Sequence, residues 1–354
     1  MQHAWGPTMS FAPGPVRAAH KFNEAELADY LQREAGIAGP LQVQQFGGGQ
    51  SNPTFLLTSG AQRFVLRKKP PGQLLKSAHQ VDREFRIMKA LSQTDVPVPR
   101  MVALCEDENV IGTSFYVMEY LEGRIFRDPQ VPDVSRAERA AIYDSMNDVL
   151  ARLHRVDYRK VGLEDFGRPG NYFERQITRF ITQYRSAQTD TIPEMEDLIG
   201  WLPQHIPAEP SVTIAHGDFR LENTIFHATE PRMIAVLDWE LSTIGHPLAD
   251  LAYNCLGYHF MNPRQGGLIG IDFEATGIPR ERDYVDLYCA RTGRGPIEKW
   301  PFYVSFSLFR LASISQGVYK RGLDGNASSE TAAQFGNTCQ LLAQNAWRLA
   351  QEVT

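Results

Sequence analysis

The segment His216-Gly217-Asp218-Phe219-Arg220-Leu221-Glu222-Asn223, followed by Leu237-Asp238-Trp239, constrains the fold more than any other part of the chain. Two short β-type runs, 224–227 and 233–237, separate the polar groups, and residues 228–232 between them are polar and include Pro231, as a turn requires. A hairpin returns its ends to the same place, so Asp218, Asn223 and Asp238 are expected to converge at one mouth. H-x-D alone arises readily by chance. H-x-D-x-x-x-x-N leading through a hairpin to a second Asp is far more restrictive.

That combination suits phosphoryl transfer from ATP, in which the protein's work is mainly positioning and charge neutralisation. Asp218 is expected to orient an acceptor hydroxyl and take its proton. Asn223 and Asp238 are hard oxygen ligands of the kind that hold Mg2+ against ATP phosphates. His216 is expected to buttress the loop by hydrogen bonds.

These residues resemble the aminoglycoside phosphotransferase family, the small-molecule branch of the protein-kinase-like fold. Phe46-Gly47-Gly48-Gly49-Gln50-Ser51-Asn52, Arg63-Phe64-Val65-Leu66-Arg67-Lys68-Lys69-Pro70-Pro71-Gly72 and Ile244-Gly245-His246-Pro247-Leu248-Ala249-Asp250-Leu251-Ala252 are most similar to one subgroup. That subgroup is the kinase-like domain found beside acyl-CoA dehydrogenases, either fused or as a separate bacterial protein. The resemblance implies a bilobal α+β fold, with a small, mainly antiparallel β N-lobe and a larger helical C-lobe carrying the catalytic β-hairpin. It gives an ATP-binding lobe (23–120) and a catalytic and substrate lobe (121–354), after an opening (1–22) whose Pro and Gly and lack of periodicity read as a flexible tail. It also implies ATP and Mg2+ as cofactors, a small-molecule hydroxyl acceptor and a functional link to an acyl-CoA dehydrogenase.

The pattern of elements agrees with that outline. A helix is predicted over 23–35, with Asn23 as N-cap and Gly36 beyond its end. Strands are predicted over 41–46, 54–58, 63–67, 98–104 and 115–119, and a helix over 77–91, opened by a Ser77-x-x-Gln80 capping box. Helical spacing then dominates, over 136–156, 172–186, 194–202, 247–258, 280–291, 302–320 and 328–352.

The length of 354 residues suits two packed lobes, and 43% hydrophobic with 22% charged residues is ordinary for a globular protein. A formal net charge of -5 offers no electrostatic argument for nucleic acid or an anionic membrane. Cys105, Cys255, Cys289 and Cys339 are far apart and form no C-x-x-C, which reads as reduced, packed thiols of a cytoplasmic protein. No apolar run approaches a membrane span and no leader pattern opens the chain.

Gly47, Gly48, Gly49, Ser51 and Asn52 lie between two predicted strands, where a tight Gly-rich turn can approach phosphates closely. The turn matches neither G-x-x-x-x-G-K-[ST] nor G-x-G-x-x-G. On the next strand, alternation puts Val65, Arg67 and Lys69 on one face and Lys68 on the other. Arg67 stands where the wider family usually carries Lys; it is the first choice of phosphate-binding cation, and Lys69 the second. Glu84 borders the apolar stripe of Val81, Phe85, Met88 and Leu91, and is the carboxylate expected to pair with that cation.

By resemblance, Glu119, Tyr120 and Leu121 form the hinge that pairs with adenine, and Asp250 braces the catalytic loop through its backbone. His246 replaces an Asp common in the family. Arg168, Arg175, Arg179 and Arg185 read first as a solvated basic flank; they, or Tyr319, Lys320 and Arg321, are the candidates to border the acceptor. A basic rim would favour a hydroxyacyl-CoA or related hydroxy acid, whereas an acidic rim would favour a cationic aminoglycoside or amino alcohol. A nucleotide-binding regulatory module is the alternative of another class, supported by Arg67 in place of Lys. No Asp-Phe-Gly or Ala-Pro-Glu is present to suggest a protein kinase.

Overall fold

Antiparallel pairing organises the first third of the chain. In the computed structural model, residues 12–47, 52–70, 80–208, 210–262, 265–324 and 335–353 are described. They divide into two compact units, Met1–Glu122 with Leu237–Glu240, and Gly123–Val236 with Leu241–Thr354.

The first unit is built on a five-stranded antiparallel sheet of β1 (Leu41–Gln45), β2 (Thr54–Ser59), β3 (Gln62–Lys68), β4 (Met101–Cys105) and β5 (Phe115–Glu119), in the order β1-β2-β3-β5-β4. Helix α1 (Glu24–Ala35) begins where Asn23 accepts hydrogen bonds from the Ala25 and Glu26 amides and ends at Gly36, whose φ of 66° suits glycine. Its Leu27 and Leu31 pack with Phe64 and Leu66 of β3 and with Phe55, Phe115 and Val117, covering one face of the sheet. Alternation then turns Val65 and Arg67 to the other face, where α2 (Val81–Leu91) packs against β4 and β5. Helix α2 starts at Val81, and Gln80 makes no side-chain capping bond; Ser77 lies outside the described residues. A four-residue helix, α3 (Glu108–Ile111), joins β4 to β5.

Residues 12–22 depart from the expected loose tail. Gly14 exchanges backbone hydrogen bonds with Gln45, and the Phe22 ring meets Phe55 edge-on at 5.2 Å.

The second unit is mainly helical: α4 (Arg136–Arg155), α5 (Tyr172–Ala187), α6 (Pro193–Trp201), α7 (Pro247–Asn254), α8 (Phe273–Thr276), α9 (Glu281–Thr292), α10 (Trp300–Leu323) and α11 (Phe335–Ala350). Helix α10 is buried along most of its length and packs on α5, α7 and α11. Small residues permit that closeness: the Ser305 hydroxyl bonds the Ala346 carbonyl of α11 at 2.8 Å, while Ser307 and Ser313 bond carbonyls one turn back.

Two small antiparallel pairs complete the unit, β6 (Thr213–Ala215) with β9 (Thr243–Gly245) and β7 (Thr224–Phe226) with β8 (Met233–Val236). The second is the expected hairpin, and Thr224 faces Val236 across its open end. Arg124 extends it by exchanging backbone bonds with Phe226, and its guanidinium holds the His227 and Glu230 carbonyls and the Glu138 carboxylate. Gly123 makes this approach possible, since a Cβ there would lie 2.3 Å from the Phe226 carbonyl oxygen. Gly123→Ala should therefore cost about 2 kcal/mol of stability, measured by denaturant unfolding; an unchanged midpoint would show that the strand can move aside.

The four cysteines are buried and free. Among the described residues no helix is long and apolar enough to cross a membrane.

Candidate active site

In the first unit, β3 and α2 bring Arg67 and Glu84 together. Arg67 Nε lies 3.2 Å from Glu84 Oε2, while Nη2 lies 2.7 Å from Asp238 Oδ1 and 3.5 Å from Glu240 Oε2. Glu84 is fully buried, and its hydrogen-bond donors are the Asn52 amide at 3.0 Å and the Tyr116 hydroxyl at 3.1 Å. Burial pushes the Glu84 carboxyl up to about 7; Arg67 pulls against that, while Asp238 and Glu240 push it further. Burial disfavours the Arg67 charge too, but the three carboxylates outweigh it and hold the guanidinium charged.

One guanidinium among three carboxylates leaves a surplus of negative charge. The donor set therefore fits a divalent cation beside Asp238, which has a φ of 63°, a left-handed conformation unusual outside glycine. Among the described residues no three His, Cys, Asp or Glu side chains gather as a metal cage. Mg2+ at a nucleotide requires only one or two protein oxygens, because phosphates and water supply the rest.

In the second unit, helix α7 organises the loop of residues 216–223. Asp250 is buried and accepts from the His216 and Gly217 amides, the latter at 2.8 Å. Burial would raise its pKa, but His154, His216 and the Gly217 amide outweigh it and hold the carboxyl below its ordinary value. Tyr253, one turn later, lies beside the Asp218 carboxylate, whose charge adds to the rise that burial imposes on the phenol's pKa, and the Asn254 amide reaches the Phe219 carbonyl at 3.2 Å. Positions i, i+3 and i+4 share one helix face, so a single short helix serves three successive parts of the loop.

Asp218 itself meets one donor and one cation. The Asn223 amide reaches its Oδ2 at 2.8 Å and its backbone carbonyl at 2.9 Å, and Arg220 Nε lies 3.2 Å from Oδ1. His216 is fully buried and accepts the Asp218 amide at Nδ1, 3.1 Å away, which puts its own ring proton on Nε2. Gly217 adopts a φ of 83°, and a Cβ there would meet the Leu241 carbonyl oxygen at 2.7 Å.

A cavity of about 140 Å³ opens beside this loop. Tyr143, Met146, Leu256, Phe260, Leu268 and Leu311 give it apolar walls, and Arg127, Arg220, Glu222, Tyr253 and Gln265 add polar groups. Glu222 is engaged by Arg220 and by the Gln265 amide.

The expected site residues thus fall into two groups: Arg67, Glu84 and Asp238 in one unit, and His216, Asp218, Asn223 and Asp250 in the other. Asn52 turns its amide to Glu84. Glu119 accepts the Arg100 amide at 2.8 Å, and Arg63 takes up the Tyr120 amide through its carbonyl and covers the Tyr120 ring; Leu121 follows, just before the first unit ends. Gly47 is exposed and accepts from Arg17, whereas Gly48, Gly49 and Ser51 lie outside the described residues.

The basic flank of α5 does not border the cavity. Arg175 bonds the Arg168 and Gly170 carbonyls, Arg185 pairs with Glu196, and Arg179 covers Phe180. Tyr319, Lys320 and Arg321 are also absent from its walls, and Lys320 pairs with Asp324 at 2.6 Å. His246 is a buried N-cap that accepts the Leu248 amide, and burial together with His154 holds its pKa down to about 4.

Sequence reasoning missed Arg310 and Tyr253. Arg310 had a visible signal: a lone guanidinium in the middle of an otherwise apolar and small-residue run on α10.

Comparison with known proteins places this geometry in a family. The family model described as "Phosphotransferase enzyme family" matches residues 42–288. Among curated relatives, mouse acyl-CoA dehydrogenase family member 10 is 48% identical over 95% of this chain and 32% of its own length. Mouse acyl-CoA dehydrogenase family member 11 is 46% identical over 95% of this chain and 44% of its own length. The chain thus spans less than half the length of these relatives. A solved candidate aminoglycoside phosphotransferase from Ralstonia eutropha is 48% identical, with a TM-score of 0.87 over 94% of this chain and 99% of that one. A mutant of aminoglycoside phosphotransferase APH(4)-Ia, solved with ADP and hygromycin B, shares the fold at 15% identity, with a TM-score of 0.59 over 90% of this chain and 98% of that one. With its antiparallel sheet, helical second unit and matching motifs, the chain belongs to the phosphotransferase enzyme family of aminoglycoside phosphotransferase type, with the α+β protein-kinase-like fold.

Proposed function

We propose that this protein transfers the terminal phosphoryl group of ATP to a hydroxyl of a small molecule with an apolar body and an anionic end, a hydroxyacyl-CoA or related hydroxy acid. One observation carries the reading: Arg220 and Tyr253, which both contact the Asp218 carboxylate, also line the apolar cavity. A hydroxyl presented from that cavity meets Asp218, which orients it and receives its proton. Arg67, held by Glu84, serves as the phosphate cation. Asn223 and Asp238 would hold Mg2+, which neutralises charge on the phosphates. His216 and Asp250 keep the loop in shape.

The lining supports an acyl acceptor over a cationic one. Glu222 is the lone carboxylate among the lining residues and pairs with Arg220, so with Arg127 the lining carries a formal positive charge. The names of the two mouse relatives support the same acceptor class. The test is transfer of label from γ-labelled ATP to a panel of hydroxyacyl-CoAs and aminoglycosides, with Asp218→Ala as control. Labelled hydroxyacyl-CoA from wild type alone supports the reading. A labelled aminoglycoside would overturn the acceptor, and Mg·ATP binding without transfer to any acceptor would favour the regulatory module.

Cavity size sets a further expectation. A cavity of roughly 150 Å³ takes a benzene ring, so about six carbons should fill this one. Across a series of acyl chains, kcat/KM should rise about threefold per added carbon and then level off near that length. A continued rise well beyond it would show that the cavity is not where the chain sits.

A further inference from the structure

We propose that Arg310 and Tyr253 act together as positioning residues that aim the Asp218 carboxylate at the cavity. This rests on the reading of Asp218 as the group that orients the acceptor.

Arg310 lies near the middle of α10, 7% exposed, with no carboxylate at ion-pair distance among the described residues. Its Nη2 donates to the Gly217 carbonyl. The guanidinium sits over the Tyr253 ring at 4.9 Å and near the Phe180 ring at 5.7 Å, and its Nε has no hydrogen-bond partner among the described residues. A buried cation without a counter-ion is costly. A helix that needed only to pack would carry Leu or Met at this position.

The charge has two points of action, and both lead to Asp218. Through Nη2 it holds the carbonyl of Gly217, whose amide is held by the Asp250 carboxylate, so this glycine is gripped from both sides by opposite charges. The next residue is Asp218. Through its planar face the guanidinium steadies the Tyr253 ring, which lies beside the Asp218 carboxylate and lines the cavity. Lys could supply the charge but not the flat surface that stacks while an edge donates. With Asn223 donating and the Arg220 guanidinium ion-paired at 3.2 Å, Tyr253 completes a set of three side chains around the carboxylate.

The test compares wild type with Tyr253→Phe, Arg310→Lys, Arg310→Met and the Tyr253→Phe/Arg310→Met double variant. Amide hydrogen exchange across residues 213–222 needs no acceptor. It should quicken about tenfold at Gly217 and Asp218 in Arg310→Met. With an active acceptor, Tyr253→Phe and Arg310→Met should each lower kcat about tenfold to a hundredfold and leave KM for ATP within about twofold. Arg310→Lys should recover little. The double variant should be little worse than the poorer single one, because the pair acts as a unit. Additive losses, or exchange unchanged in Arg310→Met, would overturn the proposal. Tyr253→Phe removes a single oxygen and carries the kinetic test if Arg310→Met does not fold. If the variants alter exchange while wild type transfers no phosphate to any acceptor, the positioning stands and the phosphotransfer reading fails.

Discussion

Asp218→Asn should lower kcat on the order of a thousandfold while leaving KM for ATP within about twofold. The substitution keeps the shape of the side chain and changes what it can do. Asp218 accepts the Asn223 amide at 2.8 Å, pairs with the Arg220 guanidinium at 3.2 Å and is flanked by Tyr253. A carboxylate can satisfy these and still accept from a substrate hydroxyl. An amide brings its own N–H2 into a ring of donors and retains a single acceptor oxygen. It cannot take up the proton, and its oxygen turns toward the existing donors rather than toward the cavity. The backbone of the loop is held elsewhere, by Asp250 on His216 and Gly217, so the fold should persist. Arg67, Glu84 and Asp238, proposed to meet the nucleotide, belong to the other compact unit and should retain Mg·ATP binding. Steady-state kinetics and nucleotide binding measured on the same preparation separate the two effects. Normal turnover in Asp218→Asn would sink the mechanism; lost nucleotide binding would show that Asp218 acts on the nucleotide rather than on the acceptor.

What could be read in advance follows a physical division between local and distant determinants. Helix α1 was legible because both its ends are written locally, with Asn23 capping the start and Gly36 in the left-handed conformation at the stop. Arg67 was legible because strand alternation separates it from Lys68, and Glu84 because helical spacing puts it beside a buried stripe. Strands β6 and β9 carry three residues each, too few for a period to show, and form by pairing with one another across about thirty residues of chain. The four-residue helices α3 and α8 are equally silent.

Arg310 bonds a carbonyl 93 residues away in sequence, a contact no local pattern encodes. The basic flank of α5, read first as a solvated flank, shows the complementary limit. A run of arginines announces charge but not its partners, and here those are the flank's own preceding carbonyls and Glu196.

Arg67→Met should combine a large loss of stability with a large loss of nucleotide binding. It would remove the cation that faces Glu84, Asp238 and Glu240 and leave a fully buried carboxylate with hydrogen bonds from Asn52 and Tyr116 alone. Breaking a buried pair by deleting one partner costs about 3–5 kcal/mol; Asp238 and Glu240 are partly solvated, which favours the lower end. The loss should depend on pH. Burial already raises the Glu84 pKa to about 7, and losing Arg67 removes the main pull in the other direction. A carboxyl whose folded pKa exceeds its unfolded value holds its proton more tightly in the fold. Its contribution is fully present below the unfolded pKa and is lost as pH rises through the folded one. Arg67→Met should therefore be closer to wild type at pH 5 than at pH 8. Adding Glu84→Gln removes the stranded charge and should recover part of the stability and most of this pH dependence. It should not restore nucleotide binding, because the phosphate cation is still missing. Arg67→Lys should keep the fold better than Arg67→Met, yet bind nucleotide less well than wild type: a single ammonium cannot present one nitrogen to Glu84 and another to Asp238. Denaturant unfolding at both pH values and Mg·ATP titration of the variants decide between these roles. Equal destabilisation at pH 5 and pH 8 would remove Glu84 as the stranded charge. Unaltered Mg·ATP binding in Arg67→Met would make Lys69 the phosphate-binding cation.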